Sequence, residues 1–194
     1  MGRPREFDFD AALERAMQVF WAKGYESASL DDLCAATGLG RSSLYAAFGD
    51  KHRLFLRALA RYEQAGAARL ADALARPLPI NEALAAFLSG VIDNIVAGPG
   101  RRGCLIGNSA AELARSDREA GARVRRSLGR VEATFREALA RAKARGEVAA
   151  DADVAALARF LTAGVQGLRL VGKANPDRAV LDDIAAVMLR CLRS

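Results

Sequence analysis

Residues 38–51, GLGRSSLYAAFGDK, gather hydrogen-bond donors into a short span: the guanidinium of Arg41, the hydroxyls of Ser42, Ser43 and Tyr45, and the ammonium of Lys51. Only Leu44 and Phe48 mark an inward face, so a helix over about 41–48 leaves most of its surface for something outside the fold. Short or planar donors on an exposed helix suit base edges and the phosphates that flank them. Arg41, Ser42 and Ser43 stand at the N-terminal end, the part of such a helix that reaches deepest into a major groove. Arg41 fits either a guanine edge or a phosphate, and Tyr45 either donates to a phosphate or packs as a half-buried ring. Lys51, with the free amides at the start of the next helix, makes a positive end suited to phosphate, as does the start of the preceding helix beside Ser29. Arg3 and Arg5, in a basic arm, reach toward an adjacent minor groove or the backbone.

Reaction chemistry has no comparable cluster. The single histidine, His52, has no nucleophile or carboxylate at motif spacing, and the chain contains no phosphate-binding loop and no metal motif. His52 reads as a phosphate-side or surface residue. Cys34, Cys104 and Cys191 are far apart, odd in number and outside any CxxC pattern, so neither disulfides nor zinc are expected. The expectation is a protein that is not an enzyme and has no cofactor or metal. Cys104 keeps two readings. Arg101 and Arg102 upstream and a helix start favour a reactive thiolate, whereas Leu105 and Ile106 turn the segment inward, where a thiol is inert.

The scaffold that must hold these donors reads as all-helical, because alanine, leucine and arginine dominate and strict alternation is absent. A first helix starts at Asp8 or Asp10, places Leu13, Ala16, Val19 and Phe20 on one face, and stops at Gly24. Ser29, with Asp32 as capping-box partner, opens a second helix that runs to Thr37. Gly38 ends it, Leu39 plugs the corner and Gly40 precedes the third helix, giving the outline of a helix-turn-helix. Asp50 caps a longer fourth helix, from about 50 to 75, that ends before Pro77 and Pro79 and connects an N-terminal unit (1–50) to a larger helical one (51–194). A helix over PINEALAAFLSGVIDNIVA, a loop at GPGRRG, a helix from CLIGNSAAELAR, a basic helix from about Asp117 to Arg145 and two final helices bring the total to about nine.

The final pair carries wide apolar arcs. Leu161, Val165 and Leu168 lie on one stripe, with Ile184 on the next helix and Met188 beside it, and small residues at Ala163, Gly164 and Gly167 allow close approach. These residues read either as a four-helix interface with a second copy or as an ordinary interior pair. Tyr62, Phe87, Phe135 and Phe160, with Cys104, are candidate walls of an effector pocket, although each aromatic also sits at core spacing. Few acids interrupt those faces, which favours an apolar or neutral small molecule over a multivalent cation. The formal charge of +6 is spread rather than focused on the donor helix, and the arginine-rich run over 125–145 reads as a solvated face. No run of about 18 uncharged apolar residues and no leader pattern occur, so the chain is expected in the cytoplasm, without a membrane.

The GRPRE arm, VFWAKGYESAS, and LDDLCAATGLGRSSLYAAFGDKHRLFLRAL together resemble the tetracycline-repressor (TetR) family of bacterial transcriptional regulators, over residues 1 to about 60. That resemblance implies a three-helix DNA-binding unit, an obligate homodimer, and a helical domain that binds an effector and lowers operator affinity, with repression the commoner mode. The expected partners are therefore double-stranded operator DNA, a small-molecule effector and a second copy. Where relatives commonly carry a hydroxyl cap and bulky residues, this chain has Gly40, Ala46 and Ala47, so the operator sequence does not follow. The Gly-Cys-Leu frame at Cys104 is similar to regulators that sense electrophiles or oxidants through a cysteine. The rival from another class is a helical interaction adaptor without DNA binding.

Overall fold

The computed structural model describes residues 8–192, and among them no strand occurs. The described helices are α1 (Phe9–Lys23), α2 (Leu30–Thr37), α3 (Arg41–Phe48), α4 (Lys51–Ala75), α5 (Ile80–Val96), α6 (Leu105–Leu113), α7 (Arg118–Ala144), α8 (Val154–Ala174) and α9 (Arg178–Arg190). One turn of 3-10 helix, Pro99–Arg102, joins α5 to α6 where the sequence reads as a loop.

Local chemistry sets most boundaries. Asp8 caps α1 by accepting from the Ala11 amide at 3.0 Å, and Ser29 and Asp32 form the expected capping box on α2. Asp50, Asp117, Asp153 and Asp177 cap α4, α7, α8 and α9 in the same way. Gly38 closes α2 at φ 73°, a left-handed conformation that costs glycine little. Gly40, ahead of α3, offers no side-chain acceptor, so the first amides of α3 have no side-chain cap.

Two apolar cores result. The first collects α1, α2, α3 and the N-terminal half of α4, and it extends into α6 and the start of α7 through Leu105, Ile106, Leu113, Ala120 and Val124. Phe20 sits at its centre with no exposed surface, edge-on to Phe55 at 5.2 Å. The second core gathers Leu70 and Leu74 of α4 with α5, the C-terminal half of α7, α8 and α9.

Of the two readings of the stripe on the last two helices, the interior one describes its place within the single chain. Leu161, Val165, Leu168 and Met188 all point into the second core of the same chain, and Ile184 is half-buried against it. Both faces of α8 are apolar, so periodicity had no means of choosing between them. The face left free carries Phe160, Ala163, Gly167, Leu170 and Val171 on α8, with Val180 and Val187 on α9. Leu170 is 69% exposed. Among the described residues α8 is also the one single helix long and apolar enough to cross a membrane, and its two apolar faces account for that hydropathy.

At the α6–α7 corner, a Cβ on Gly121 would lie 2.7 Å from the Ala114 carbonyl oxygen, whereas one on Gly129 would meet open space. Gly121→Ala is therefore expected to destabilise the fold by about 1–3 kcal/mol. Gly129→Ala, on the same helix, should stabilise it by up to about 1 kcal/mol. Urea unfolding of both variants, compared with the parent, checks the opposed signs.

Candidate nucleic-acid interface and ligand cavity

On α3, Leu44 and Phe48 turn into the core while Arg41, Ser42, Ser43, Tyr45 and Ala46 face solvent. Tyr45 is 44% exposed. The Arg41 guanidinium meets the Asp31 carboxylate at 2.6 Å, across the helix-turn-helix corner, and that bond raises an already high pKa. Both side chains are exposed, so water and salt screen the pair and it opens readily. Ten residues of chain separate these partners, and no local rule of sequence pairs them.

The flanking cations and helix ends are already engaged. Lys51 donates to the Glu26 carbonyl at 3.3 Å and stands over the Tyr25 ring at 4.6 Å. Ser29 spends its hydroxyl on Asp32, accepting from the Asp32 amide at 3.1 Å and donating to the Asp32 carboxylate at 2.8 Å. The bond from Lys23, helped by Ser29, holds Asp32 down to about 2. The start of α2 thus carries the carboxylates of Asp31 and Asp32, and its amides are less open to phosphate than Ser29 alone suggests. Arg3 and Arg5 lie outside the described residues.

This surface is fastened to the rest of the chain at specific atoms. Glu112 of α6 accepts from the backbone amides of Tyr25 (2.9 Å) and Glu26 (2.8 Å), just beyond α1. The Trp21 indole donates to the Gly103 carbonyl at 3.0 Å, and the Arg102 guanidinium lies over the indole at 4.2 Å. His52 is part-buried, and its Nε2 lies 2.6 Å from Asp117, the cap of α7. Burial pushes the Asp117 carboxyl up, but the Ala120 amide and His52 outweigh it and hold the group below its usual range.

Between α1, α4, α5 and the 3-10 turn runs an open groove of about 880 Å³. A smaller cavity, about 40 Å³, lies deeper among α4, α5, α6, α7 and α8, and Tyr62, Gly66, Phe87 and Arg169 line both. Phe135 and Cys104 wall the inner one. Phe160 lines neither: it is 40% exposed on the free face of α8. Arg169, which helical spacing does not single out, reaches in from α8 with Nη1 3.5 Å from the Cys104 sulfur. Burial pushes the Tyr62 hydroxyl well above the ordinary phenol range, so it remains a neutral donor. Cys104 is 5% exposed, which favours packing over a solvent-facing sensor. Nearby, the buried Glu63 carboxylate is held by Arg130 and lies 3.9 Å from Arg123.

Residues 12–58 match the model of bacterial regulatory proteins of the tetR family, and residues 81–188 match the tetracyclin repressor-like C-terminal domain. The chain is 37% identical to the HTH-type transcriptional regulator YezE of Bacillus subtilis, over 99% of this chain and 100% of the relative. It is 33% identical to the HTH-type transcriptional repressor ComR of Escherichia coli, over 97% and 90%. A cysteine mutant of the TetR family regulator CifR, solved with 26-bp double-strand operator DNA, superposes with a TM-score of 0.88 at 36% identity, covering 98% of this chain and 100% of that one.

Removing the Glu112 acceptor leaves the Tyr25 and Glu26 amides to water. Glu112→Ala is therefore expected to speed amide hydrogen exchange at those two residues while protection in α5, α8 and α9 is unchanged. Exchange mapped on the parent and the variant checks both halves of that expectation.

Proposed function

The chain belongs to the tetracycline-repressor family of bacterial transcriptional regulators, and from that premise we propose that it binds a palindromic operator as a homodimer through α3 and is released by a small-molecule effector. The observation that carries this reading is the exposed donor face of α3, where Arg41, Ser42, Ser43 and Tyr45 stand on a helix whose other side is fixed by Leu44 and Phe48. The operator complex of a relative with the same fold supports it. Duplex phosphates compete with Asp31 for Arg41, and an exposed pair of that kind yields readily. Lys51, tethered at the start of α4, serves as a positioning contact to the backbone. Repression fits the relatives named as repressors, and the place of action is the cytoplasm, where the operator is.

Dimer formation uses the free face of α8 and α9, since a monomer cannot present two recognition helices to successive major grooves about 34–36 Å apart. Phe160, Leu170, Val180 and Val187 are exposed in the single chain, and Gly167 between them lets backbones approach. Effector binding belongs to the groove and cavity that meet at Tyr62 and Arg169.

Two experiments test the reading. Anisotropy titrations against the DNA upstream of the protein's own gene and a scrambled duplex should show preference for the former, with affinity falling steeply as salt rises. Arg41→Ala is expected to cost about 1–3 kcal/mol on the cognate site and relax discrimination, while Lys51→Ala weakens all duplexes alike and lowers the salt slope by about 1. Equal loss on both duplexes for Arg41→Ala would make it a phosphate contact. For assembly, Leu170→Glu with Val187→Asp should give a folded monomer by light scattering. A charge at Val165 should unfold the chain instead, because that side chain is internal.

A further inference from the structure

Where the groove meets the inner cavity, the charges do not cancel. Glu14 is the partner of Arg61, at 2.7 Å, and Glu63 is held by Arg130 beside Arg123, so both carboxylates lining these spaces are matched. Arg169 is not: among the described residues its guanidinium meets no carboxylate, only the sulfur of Cys104. It lines both spaces, as does Tyr62, whose hydroxyl faces Cys104 at the start of α6. A guanidinium in a semi-enclosed apolar setting is strongly favoured by one planar anion that it can grip through two parallel N–H donors. Apolar groups line one side: Phe87, edge-on to Phe135 at 6.2 Å, with Val131 and Val165.

We propose that the junction takes an amphipathic monocarboxylate, its carboxylate on the Arg169 guanidinium and the Tyr62 hydroxyl and its apolar body against Phe87 and along the groove, as the signal that releases the operator; this rests on the effector reading above. At the junction itself Arg169 supplies one positive charge, which favours a carboxylate over a phosphate dianion. A cation is disfavoured, because among the described residues no group of His, Cys, Asp or Glu is placed to hold one. Entry needs no rearrangement of the fold. Gly66 on α4 and Gly90 on α5 both line the groove, and at each a Cβ would project into open space. This proposal departs from the expected apolar or neutral small molecule because it counts Arg169, which helix-face spacing does not assign to a pocket.

The chain's single tryptophan, Trp21, lines the groove and reports occupancy. Full-length protein is titrated, by Trp21 fluorescence and calorimetry, with hexanoate, 3-phenylpropionate and decanoate and with the neutral amide of each. At least one carboxylate should bind about tenfold or more tighter than its amide, the advantage of a charge-assisted pair. Arg169→Met should abolish that advantage while the folded chain still binds the amide and, without ligand, the operator. Gly66→Leu should block acid and amide alike. Equal binding of acid and amide, an advantage that survives Arg169→Met, or no binding of any acid at millimolar concentration overturns the proposal. The carboxylate that binds should also weaken operator affinity, and binding with operator affinity unchanged overturns its role as the signal. A chain that fails to bind any duplex refutes the regulator reading instead, since the ligand titrations are carried out without DNA.

Discussion

Glu63 is the one carboxylate in the described interior, and the division of the molecule depends on it. Its side chain is 7% exposed midway along α4, with Arg130 bonded to it and Arg123 at 3.9 Å, both from α7. Before it on α4, Leu54 to Tyr62 belong to the first core; after it, Leu70 and Leu74 belong to the second. The same break occurs on α7, between Val124 and Phe135. A buried carboxylate is tolerated only with guanidinium partners, so this polar joint fixes the register of α4 against α7. It also keeps the two apolar cores from merging. Neither unit can rearrange as a whole without carrying α4 with it.

The cavity adjoins that joint, and the same elements lead from it to the DNA-facing surface. Tyr62 precedes Glu63 on α4 and shares the first core with Leu105 at the start of α6; the far end of α6 carries Glu112, which holds the backbone beyond α1. Upstream of α6, Gly103 accepts from Trp21, whose indole also forms a wall of the groove. A helix of nine residues is thus attached at one end to the ligand space and at the other to the segment between α1 and α2.

The donor surface itself is held in check by modest forces. Arg41 is paired with Asp31, Lys51 rests on Tyr25, and Ser29 and Asp32 satisfy each other. The Arg41–Asp31 pair is exposed, screens with salt and yields to a stronger anion. The arrangement orders the side chains without committing them, which suits contacts that must form and break.

The sequence by itself determined what acts within a few residues. Asp8, Ser29 with Asp32, and Asp50 cap helices, and Gly38 ends one, because a side-chain oxygen three residues from an amide or a glycine able to adopt positive φ needs no distant partner. The inward turn of Leu44 and Phe48 followed from the helical period alone, and with it the exposure of Arg41, Ser42, Ser43 and Tyr45. Only the tertiary structure decided which apolar face of α8 turned inward, burying Leu161, Val165 and Leu168 and leaving Phe160 outside. It alone brought Arg169 to Tyr62 and Cys104, paired Arg41 with Asp31 and set Glu63 between two arginines. Periodicity reports how many faces a helix has, whereas the partner each face meets is fixed by packing among segments far apart in the chain.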